Sequence, residues 1–252
     1  MRKFFDLPYG EHEMQKVDIW LPDEGEFDLF IYLHGGGIES GNRKVDTSFA
    51  EYLATRGVGL ASVEYRMYPT AKYPDFIEDS AAATAWIKSH IGEYGSCNRI
   101  FLGGSSAGGY LSMMLCFDRR WLNAVGMEPV DIAGYFHDAG QPTAHFNVLK
   151  YSGLDSRRII VDDTAPLYHI GVDPEYSPMR FTVSDNDMVN RYEQTMLVLS
   201  TLKHFGYDMS KVSLDVRNGT HCHYTYPDKR TPEGESLLGA MVYDFIAATP
   251  RL

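Results

Sequence analysis

The chain has 252 residues, of which 44% are hydrophobic and 23% are charged, and its formal net charge is −11. This composition is typical of a folded globular protein, and the acidic balance argues against nucleic acid as a partner. No stretch approaches the roughly 18 apolar residues of a membrane-spanning helix. Asp6, Pro8 and Glu11 interrupt any signal-peptide pattern at the amino terminus. We therefore expect a cytoplasmic protein without a membrane partner.

The length suffices for one α/β domain with a substantial core, and no linker divides it. Residues 1–252 are therefore predicted to form a single domain. Its three cysteines, Cys97, Cys116 and Cys222, are odd in number and lack metal-type spacing, which favours a reducing compartment. No cofactor is predicted, and the oligomeric state is left open, with a homodimer as one alternative.

The first half of the chain alternates strands with helices. Residues 15–21 alternate apolar and polar side chains, as a half-exposed strand does. Residues 27–33 are almost continuously apolar, which predicts a strand buried on both faces. Helical spacing over 47–56 and over 76–91 brackets a further strand at 58–65.

The second half continues the alternation. Strands are predicted at 99–102, 130–136, 180–183 and 212–216, and helices at 110–117, 192–205 and 233–248. Residues 141–178 hold four prolines, Pro142, Pro166, Pro174 and Pro178, and are interpreted as an irregular insertion with short helices. This order predicts a mainly parallel sheet with helices on both faces.

Two serines lie in the Gly104-Ser105-Ser106-Ala107-Gly108 turn that follows the strand at 99–102. Only Ser106 fits the G-x-S-x-G register, because centring on Ser105 would place Ala107 where the second glycine belongs. Small residues are needed there because the nucleophile occupies a strained turn with its Oγ clear of the backbone. The alternative is a glycine-rich turn that packs closely or binds a phosphate.

A serine hydroxyl is a weak nucleophile, so it needs a neighbouring base and a carboxylate that orients this base. In a parallel sheet such groups collect beyond the carboxyl ends of the strands. Asp185 and Asp187 follow the strand at 180–183, and Asp138 follows the strand at 130–136. A carboxylate that is not the acid is interpreted as a turn residue.

Two histidines, His221 and His223, follow the strand at 212–216. One of them is the predicted base, and the other would orient a substrate or form a hydrogen bond in the pocket wall. A His-x-His pair also suggests a metal site, but no further His, Cys or carboxylate cluster is spaced to complete one. No metal is predicted.

The His34-Gly35-Gly36-Gly37 run follows the strand at 27–33. A tetrahedral intermediate places negative charge on the former carbonyl oxygen, and backbone N–H groups must reach it unobstructed. We expect these donors from Gly36 and Gly37 and from Ala107, the residue after the nucleophile. His34 is predicted to fix the loop by hydrogen bonding. The alternative is a flexible loop.

These motifs resemble the α/β-hydrolase esterases of the hormone-sensitive-lipase and acetyl-esterase type. The resemblance extends from about residue 15 to the end of the chain. It rests on His34–Gly37, Tyr65-Arg66-Met67-Tyr68-Pro69, Tyr73-Pro74, Glu78-Asp79, Gly104–Gly109 and Ala165-Pro166-Leu167-Tyr168.

The resemblance implies an α/β-hydrolase fold and a serine carboxylesterase that works through an acyl-enzyme. It favours Asp187 as the acid, because Asp187-Met188-Val189 is similar to the family's Asp-x-Val turn. It favours His221 as the base, because His221 directly follows the small-residue loop where the fold presents this residue. Asp185 and His223 stay as the alternates, and Asp138 is a third candidate acid.

The sequence also departs from the family pattern. Ser105 stands where many relatives have Asp, and the large amino-terminal cap of lipase-type members is not expected. A compact site with a small insertion favours short acyl or aryl esters as the small-molecule substrate, such as acetyl or hydroxycinnamoyl groups on plant-derived sugars. The alternatives are an amidase such as a formamidase, a small peptidase, and a non-catalytic ligand-binding protein.

Overall fold

A computed structural model of the chain describes residues 1–173 and 175–251. Pro174, one of the four prolines of the predicted insertion, and Leu252 lie outside the described residues. Eight described strands form a single sheet. They are β1 (Arg2–Pro8), β2 (Lys16–Leu21), β3 (Phe27–Leu33), β4 (Val58–Val63), β5 (Cys97–Ser105), β6 (Gly134–Asp138), β7 (Met179–Ser184) and β8 (Val212–Arg217).

The strands lie in the order β1-β2-β4-β3-β5-β6-β7-β8. The two pairings made by β2, with β1 and with β4, are antiparallel, and the pairings from β4 through β3 to β8 are all parallel. The carboxyl ends of β3, β5, β6, β7 and β8 therefore meet at one edge of the sheet. Every candidate site residue of the sequence lies at or beyond this edge.

The helices are α1 (Thr47–Ala54), α2 (Asp75–Tyr94), α3 (Ala107–Phe117), α4 (Arg119–Asn123), α5 (Phe146–Tyr151), α6 (Arg191–His204) and α7 (Leu237–Ala248). Alternate side chains of β3 point into two separate cores, as the pleat of a strand requires. Leu29 and Ile31 pack with α2, α3 and α6 on one face. Phe30 packs with α1 and α7 on the other. The predicted mainly parallel sheet with helices on both faces is confirmed.

Most elements begin and end within a few residues of their predicted bounds. The exceptions are the strand predicted at 130–136 and two elements that were not predicted, the short helix α4 and the strand β1. The strand predicted at 130–136 is wrong in its first half, because Pro129–Asp131 form a 3-10 turn closed by a Glu128–Asp131 capping box. The strand β1 was not predicted. It is an irregular edge strand whose register shifts between Phe4 and Leu7, so its side chains give little alternation to detect.

Between β6 and β7, the described residues of the predicted insertion at 141–178 contain α5 and a 3-10 turn over Pro166–His169. They are short and irregular elements, as expected. Within the described part of the chain, none of the helices has both the length and the apolar character needed to cross a membrane.

Candidate active site

The turn from β5 into α3 holds Ser106 in a strained backbone conformation, with φ 57° and ψ −112°. Such a conformation costs on the order of 1–3 kcal/mol in a non-glycine residue. The carbonyl oxygen of Asp138 accepts the Ser106 N–H at 2.8 Å and fixes the turn to the neighbouring strand. A Cβ on Gly104 or Gly108 would lie 2.3 or 1.9 Å from the carbonyl oxygen of Leu33. Both glycines are therefore required for the close approach of the turn to β3.

His221 connects Ser106 to Asp187. Its Nε2 lies 2.8 Å from Ser106 Oγ, and its Nδ1 lies 2.5 Å from Asp187 Oδ1. With neutral His221, this network assigns the proton to Nδ1, which donates to Asp187, and leaves Nε2 to accept from the serine hydroxyl. Ser106, His221 and Asp187, which lie on three separate loops, thus form one continuous chain of hydrogen bonds.

The surroundings of Asp187 favour its ionised form although its side chain is fully buried. Burial raises the pKa of this carboxyl, but the hydrogen bond from His221 and those from the backbone N–H groups of Met188 and Ser184 bring the pKa below its ordinary value. These N–H groups lie 2.7 and 3.2 Å from its oxygens. An ionised carboxylate at this position stabilises an imidazolium on His221.

The alternates Asp185 and His223 face elsewhere. Asp185 accepts hydrogen bonds from the Gly219 N–H and from Asn218 Nδ2, both at 2.9 Å, so it holds the loop that precedes His221. His223 Nδ1 pairs with the carbonyl oxygen of Thr220 at 2.9 Å. Neither side chain forms a hydrogen bond with Ser106 among the described residues.

Asp138, the third candidate acid, is fully buried, but it does not contact His221 by a hydrogen bond. Its Oδ1 accepts the hydroxyl of Tyr224 at 2.5 Å. Burial raises the pKa of Asp138 to about 6, against the lowering effect of Ser105, Tyr224 and His221. This carboxyl therefore lies beside the Ser106–His221–Asp187 row without belonging to it.

The glycine loop after β3 packs directly on the turn that holds Ser106. A Cβ on Gly35 would lie 3.0 Å from the carbonyl oxygen of Ser105. Gly36 and Gly37 have φ angles of +111° and +67°, which an L side chain rarely adopts. In the described part of the chain, the N–H groups of Gly36, Gly37 and Ala107 donate to no backbone acceptor. They are free to bind an anionic oxygen.

His34 supports this loop as predicted. Its ring stacks on Tyr65 with centroids 4.3 Å apart, and its Nδ1 lies 2.7 Å from the carbonyl oxygen of Gly35. The Tyr65 hydroxyl donates to the carbonyl oxygen of His34 at 2.8 Å. His34 thus supports the glycine loop, and its ring forms no hydrogen bond with Ser106 in the described part of the chain.

Three residues of α5 hold the other side of the glycine loop, and no role is predicted for them from the sequence. Asn147 Nδ2 donates to the carbonyl oxygen of Gly37 at 2.6 Å. Lys150 and Tyr151 both reach Glu39, at 2.7 and 2.8 Å. The ring of Tyr151 stacks on Tyr68 with centroids 3.9 Å apart. The three hydrogen bonds join residues more than 100 positions apart, the ring stack also joins residues far apart in the chain, and no local pattern indicates these contacts.

No group of three or more His, Cys, Asp or Glu side chains among residues 1–173 and 175–251 is arranged to hold a metal ion. The His221–His223 pair in particular is divided between two partners, because His221 faces Asp187 and His223 faces Thr220.

Comparison with known proteins gives consistent matches to ester hydrolases. A family model described as BD-FAE matches residues 17–130, a range that contains the glycine loop and Ser106 and ends before Asp187. The chain is 35% identical over 116 residues to the probable carboxylic ester hydrolase LipM of Mycobacterium tuberculosis, covering 43% of this chain and 27% of that protein. It is 30% identical over 108 residues to the acetyl esterase of Salmonella schwarzengrund, covering 42% and 32%. The matched segments span less than a third of either relative.

Solved structures match over nearly the whole chain. A truncated carbohydrate esterase from gut microbiota has a TM-score of 0.79 at 17% identity, covering 100% of this chain and 97% of that one. Esterase B from Lactobacillus rhamnosis has a TM-score of 0.76 at 18% identity, covering 98% and 85%. At such identities the likeness shows the fold alone. The chain has the α/β-hydrolase fold, and its predicted resemblance to α/β-hydrolase esterases is confirmed.

Proposed function

We propose that this α/β-hydrolase chain is a serine carboxylesterase, with Ser106 as nucleophile, His221 as base and Asp187 as the acid that orients it. The observation that carries the proposal is the row of hydrogen bonds from Ser106 Oγ through both ring nitrogens of His221 to Asp187. The free N–H groups beside Ser106 add the anion-binding element that acyl transfer needs.

The reaction follows from this geometry. Ser106 Oγ attacks the carbonyl carbon of the ester while its proton passes to His221 Nε2. The N–H groups of Gly36, Gly37 and Ala107 stabilise the resulting oxyanion. The intermediate then collapses to an acyl-enzyme, and the leaving alcohol takes the proton from Nε2. Water, deprotonated by the same nitrogen, releases the acid and restores the serine.

For the substrate class, we propose short acyl or aryl esters, with acetyl and hydroxycinnamoyl esters of plant-derived sugars as the leading candidates. Aromatic side chains flank the oxyanion loop: the Phe146 ring would lie 3.4 Å from a Cβ on Gly37, and Tyr151 stacks on Tyr68. The names of the acetyl esterase and carbohydrate esterase matches point to the same class. An aromatic wall suits a small planar group better than a long flexible chain, which would lose more conformational freedom on binding.

Hydrolysis of p-nitrophenyl acetate by the wild type and by Ser106→Ala tests the chemistry. We expect hydrolysis by the wild type, covalent labelling by a fluorophosphonate probe, and the loss of both in Ser106→Ala. A matched control is Ser105→Ala, which removes the neighbouring serine and should keep the labelling. Equal rates in the wild type and Ser106→Ala would refute the proposal.

The substrate class is tested by comparing acetylated xylan, methyl ferulate and N-formylkynurenine at matched concentration. Faster turnover of the acetyl or feruloyl ester supports the proposed class. Faster turnover of the formamide would identify an amidase on the same residues. If the fluorophosphonate labels Ser106 but none of the three substrates is hydrolysed, the assignment of the nucleophile stands and the proposed substrate class is wrong.

A further inference from the structure

Asp138 is a buried ionisable group that the esterase mechanism does not use. It ends β6 beside Ser105, its register partner in β5. Its side chain is fully buried, and its Oδ2 has no hydrogen-bond partner among the described residues. Burial of a carboxylate without a paired cation is costly. Because this cost is borne next to Ser106, the contacts of Asp138 indicate which part of the site it stabilises.

Asp138 contacts both the turn that holds Ser106 and the segment that carries His221, through different atoms. Its backbone carbonyl accepts the N–H of Ser106 at 2.8 Å, and its carboxylate accepts the hydroxyl of Tyr224 at 2.5 Å. Tyr224 lies three positions after His221 and is itself buried. One residue thus connects the strained turn of the nucleophile to the segment that carries the base.

The segment around His221 is short and strained, so its position depends on its two ends. Cys222 has a φ of +51° and precedes a 3-10 turn over His223–Thr225. Before His221, the hydroxyl of Ser184 donates to the carbonyl oxygen of Thr220 at 2.8 Å. After it, the bond from Tyr224 to Asp138 provides the other attachment. A displacement of about 1 Å can slow a reaction strongly, so a shift of this segment at either attachment would matter for the distance from Ser106 Oγ to His221 Nε2.

We infer that Asp138 and Tyr224 form a positioning pair that sets His221 against Ser106. The inference rests on the proposed esterase function and assigns residues that act through His221 without contacting substrate. The hydroxyl of Ser105, which accepts from Tyr32 at 3.2 Å, also lowers the pKa of the Asp138 carboxyl.

The test uses Tyr224→Phe, Asp138→Ala and their double variant, with kcat and KM measured on p-nitrophenyl acetate. Each single change should lower kcat about tenfold while KM stays within about twofold, because binding is intact and only the alignment of the base is lost. The double variant should be no slower than either single variant, because both remove the same bond. Asp138→Asn keeps an oxygen acceptor for the phenol and should retain kcat within about threefold.

The matched control is Tyr135→Phe. Tyr135 is fully buried near the start of β6, and its hydroxyl donates to the carbonyl oxygen of Pro129 at 2.8 Å. This variant also loses one buried tyrosine hydrogen bond and should lower the melting temperature without changing kcat. If Tyr135→Phe lowers kcat as much as Tyr224→Phe, the losses reflect general destabilisation and the inference is overturned.

Additive losses in the double variant, or full kcat in Tyr224→Phe, would also overturn the inference while leaving the esterase proposal intact. If Tyr224→Phe does not fold, the contrast between Asp138→Asn and Asp138→Ala decides: equal kcat values in these two variants contradict the pair. A wild type that neither hydrolyses the ester nor reacts with the fluorophosphonate would refute the proposed function, and this inference with it.

Discussion

The two halves of the candidate site are built in different ways. The glycine half, residues 34–37 and 104–108, has little side-chain volume, and a Cβ on Gly36, Gly104 or Gly108 would collide with backbone oxygens. The loop half, residues 184–187 and 218–224, is held by side chains: Ser184, Asp185 and Asp187 each bond to a backbone or ring atom of the opposite loop.

The difference indicates how each half tolerates change. In the glycine half, geometry is set by close backbone contacts, so almost any added atom displaces the site. In the loop half, the geometry is set by individual hydrogen bonds, so each substitution has its own effect on kcat. The effect is large for a residue that takes part in proton transfer and small for a neighbouring residue that does not. Substitutions in each half can therefore test the assignment separately.

Apart from removal of the nucleophile or the base itself, the largest effect is expected for Asp187→Asn, with Asp185→Asn as its matched control. An amide at position 187 disfavours the tautomer with the proton on Nδ1 of His221 and removes the charge that stabilises the imidazolium. We expect kcat on p-nitrophenyl acetate to fall by about 10³–10⁴. Asp185→Asn, which removes the same charge from the neighbouring turn, should retain kcat within about threefold. The reverse ranking would make Asp185 the acid.

A smaller loss is expected for Gly36→Ala. The new Cβ would lie 1.9 Å from the carbonyl oxygen of Ser40, and φ at this position is +111°. The loop must move, and the loss of one oxyanion donor lowers kcat by about 10²–10³. Gly57→Ala is the control, because Gly57 has a φ of +77° in open space. It should lower the melting temperature and leave kcat unchanged. An unaltered kcat in Gly36→Ala would exclude this loop as the oxyanion hole.

The two halves also differ in how far they could be predicted from the sequence. The glycine half could be predicted because glycine residues are identified directly in the sequence, and the Ser106 register followed from Gly104 and Gly108 alone. The end of β3 was predictable because its apolar run stops at Leu33. The end of β5 was predicted at residue 102, but the strand continues through Gly103 and Gly104 to Ser105. The choices between Asp185 and Asp187 and between His221 and His223 depend on side-chain direction, which two-residue spacing does not encode. The contacts from α5 to the glycine loop, and from Asp138 to Tyr224, need the tertiary fold.

The buried carboxyl of Asp138 predicts a pH-dependent stability. Its pKa of about 6 is above the ordinary 3.8, so the folded state binds its proton more tightly than the unfolded state does. The resulting stabilisation is complete below pH 3.8 and is lost as the pH rises through about 6. Asp138→Asn lacks this dependence. Its free energy of unfolding relative to wild type should rise by up to about 3 kcal/mol between pH 4 and pH 8. Denaturant titrations at both pH values measure this difference, and a constant difference contradicts the raised pKa.

The smallest effect is expected for His223→Ala, which tests the loop half at a residue beside the proton path. The His223 ring packs under the loop, where a Cβ on Gly219 would lie 2.5 Å from it, and its Nδ1 pairs with the carbonyl oxygen of Thr220. Its removal takes one half-buried contact from the segment and none from Ser106, so kcat should stay within about threefold. His221→Ala removes the base itself, and its kcat should fall as far as that of Ser106→Ala, because the two residues act as a unit. Equal losses in the two histidine variants would mean that the base is shared or misassigned, and fluorophosphonate labelling of each variant would identify which ring activates the serine.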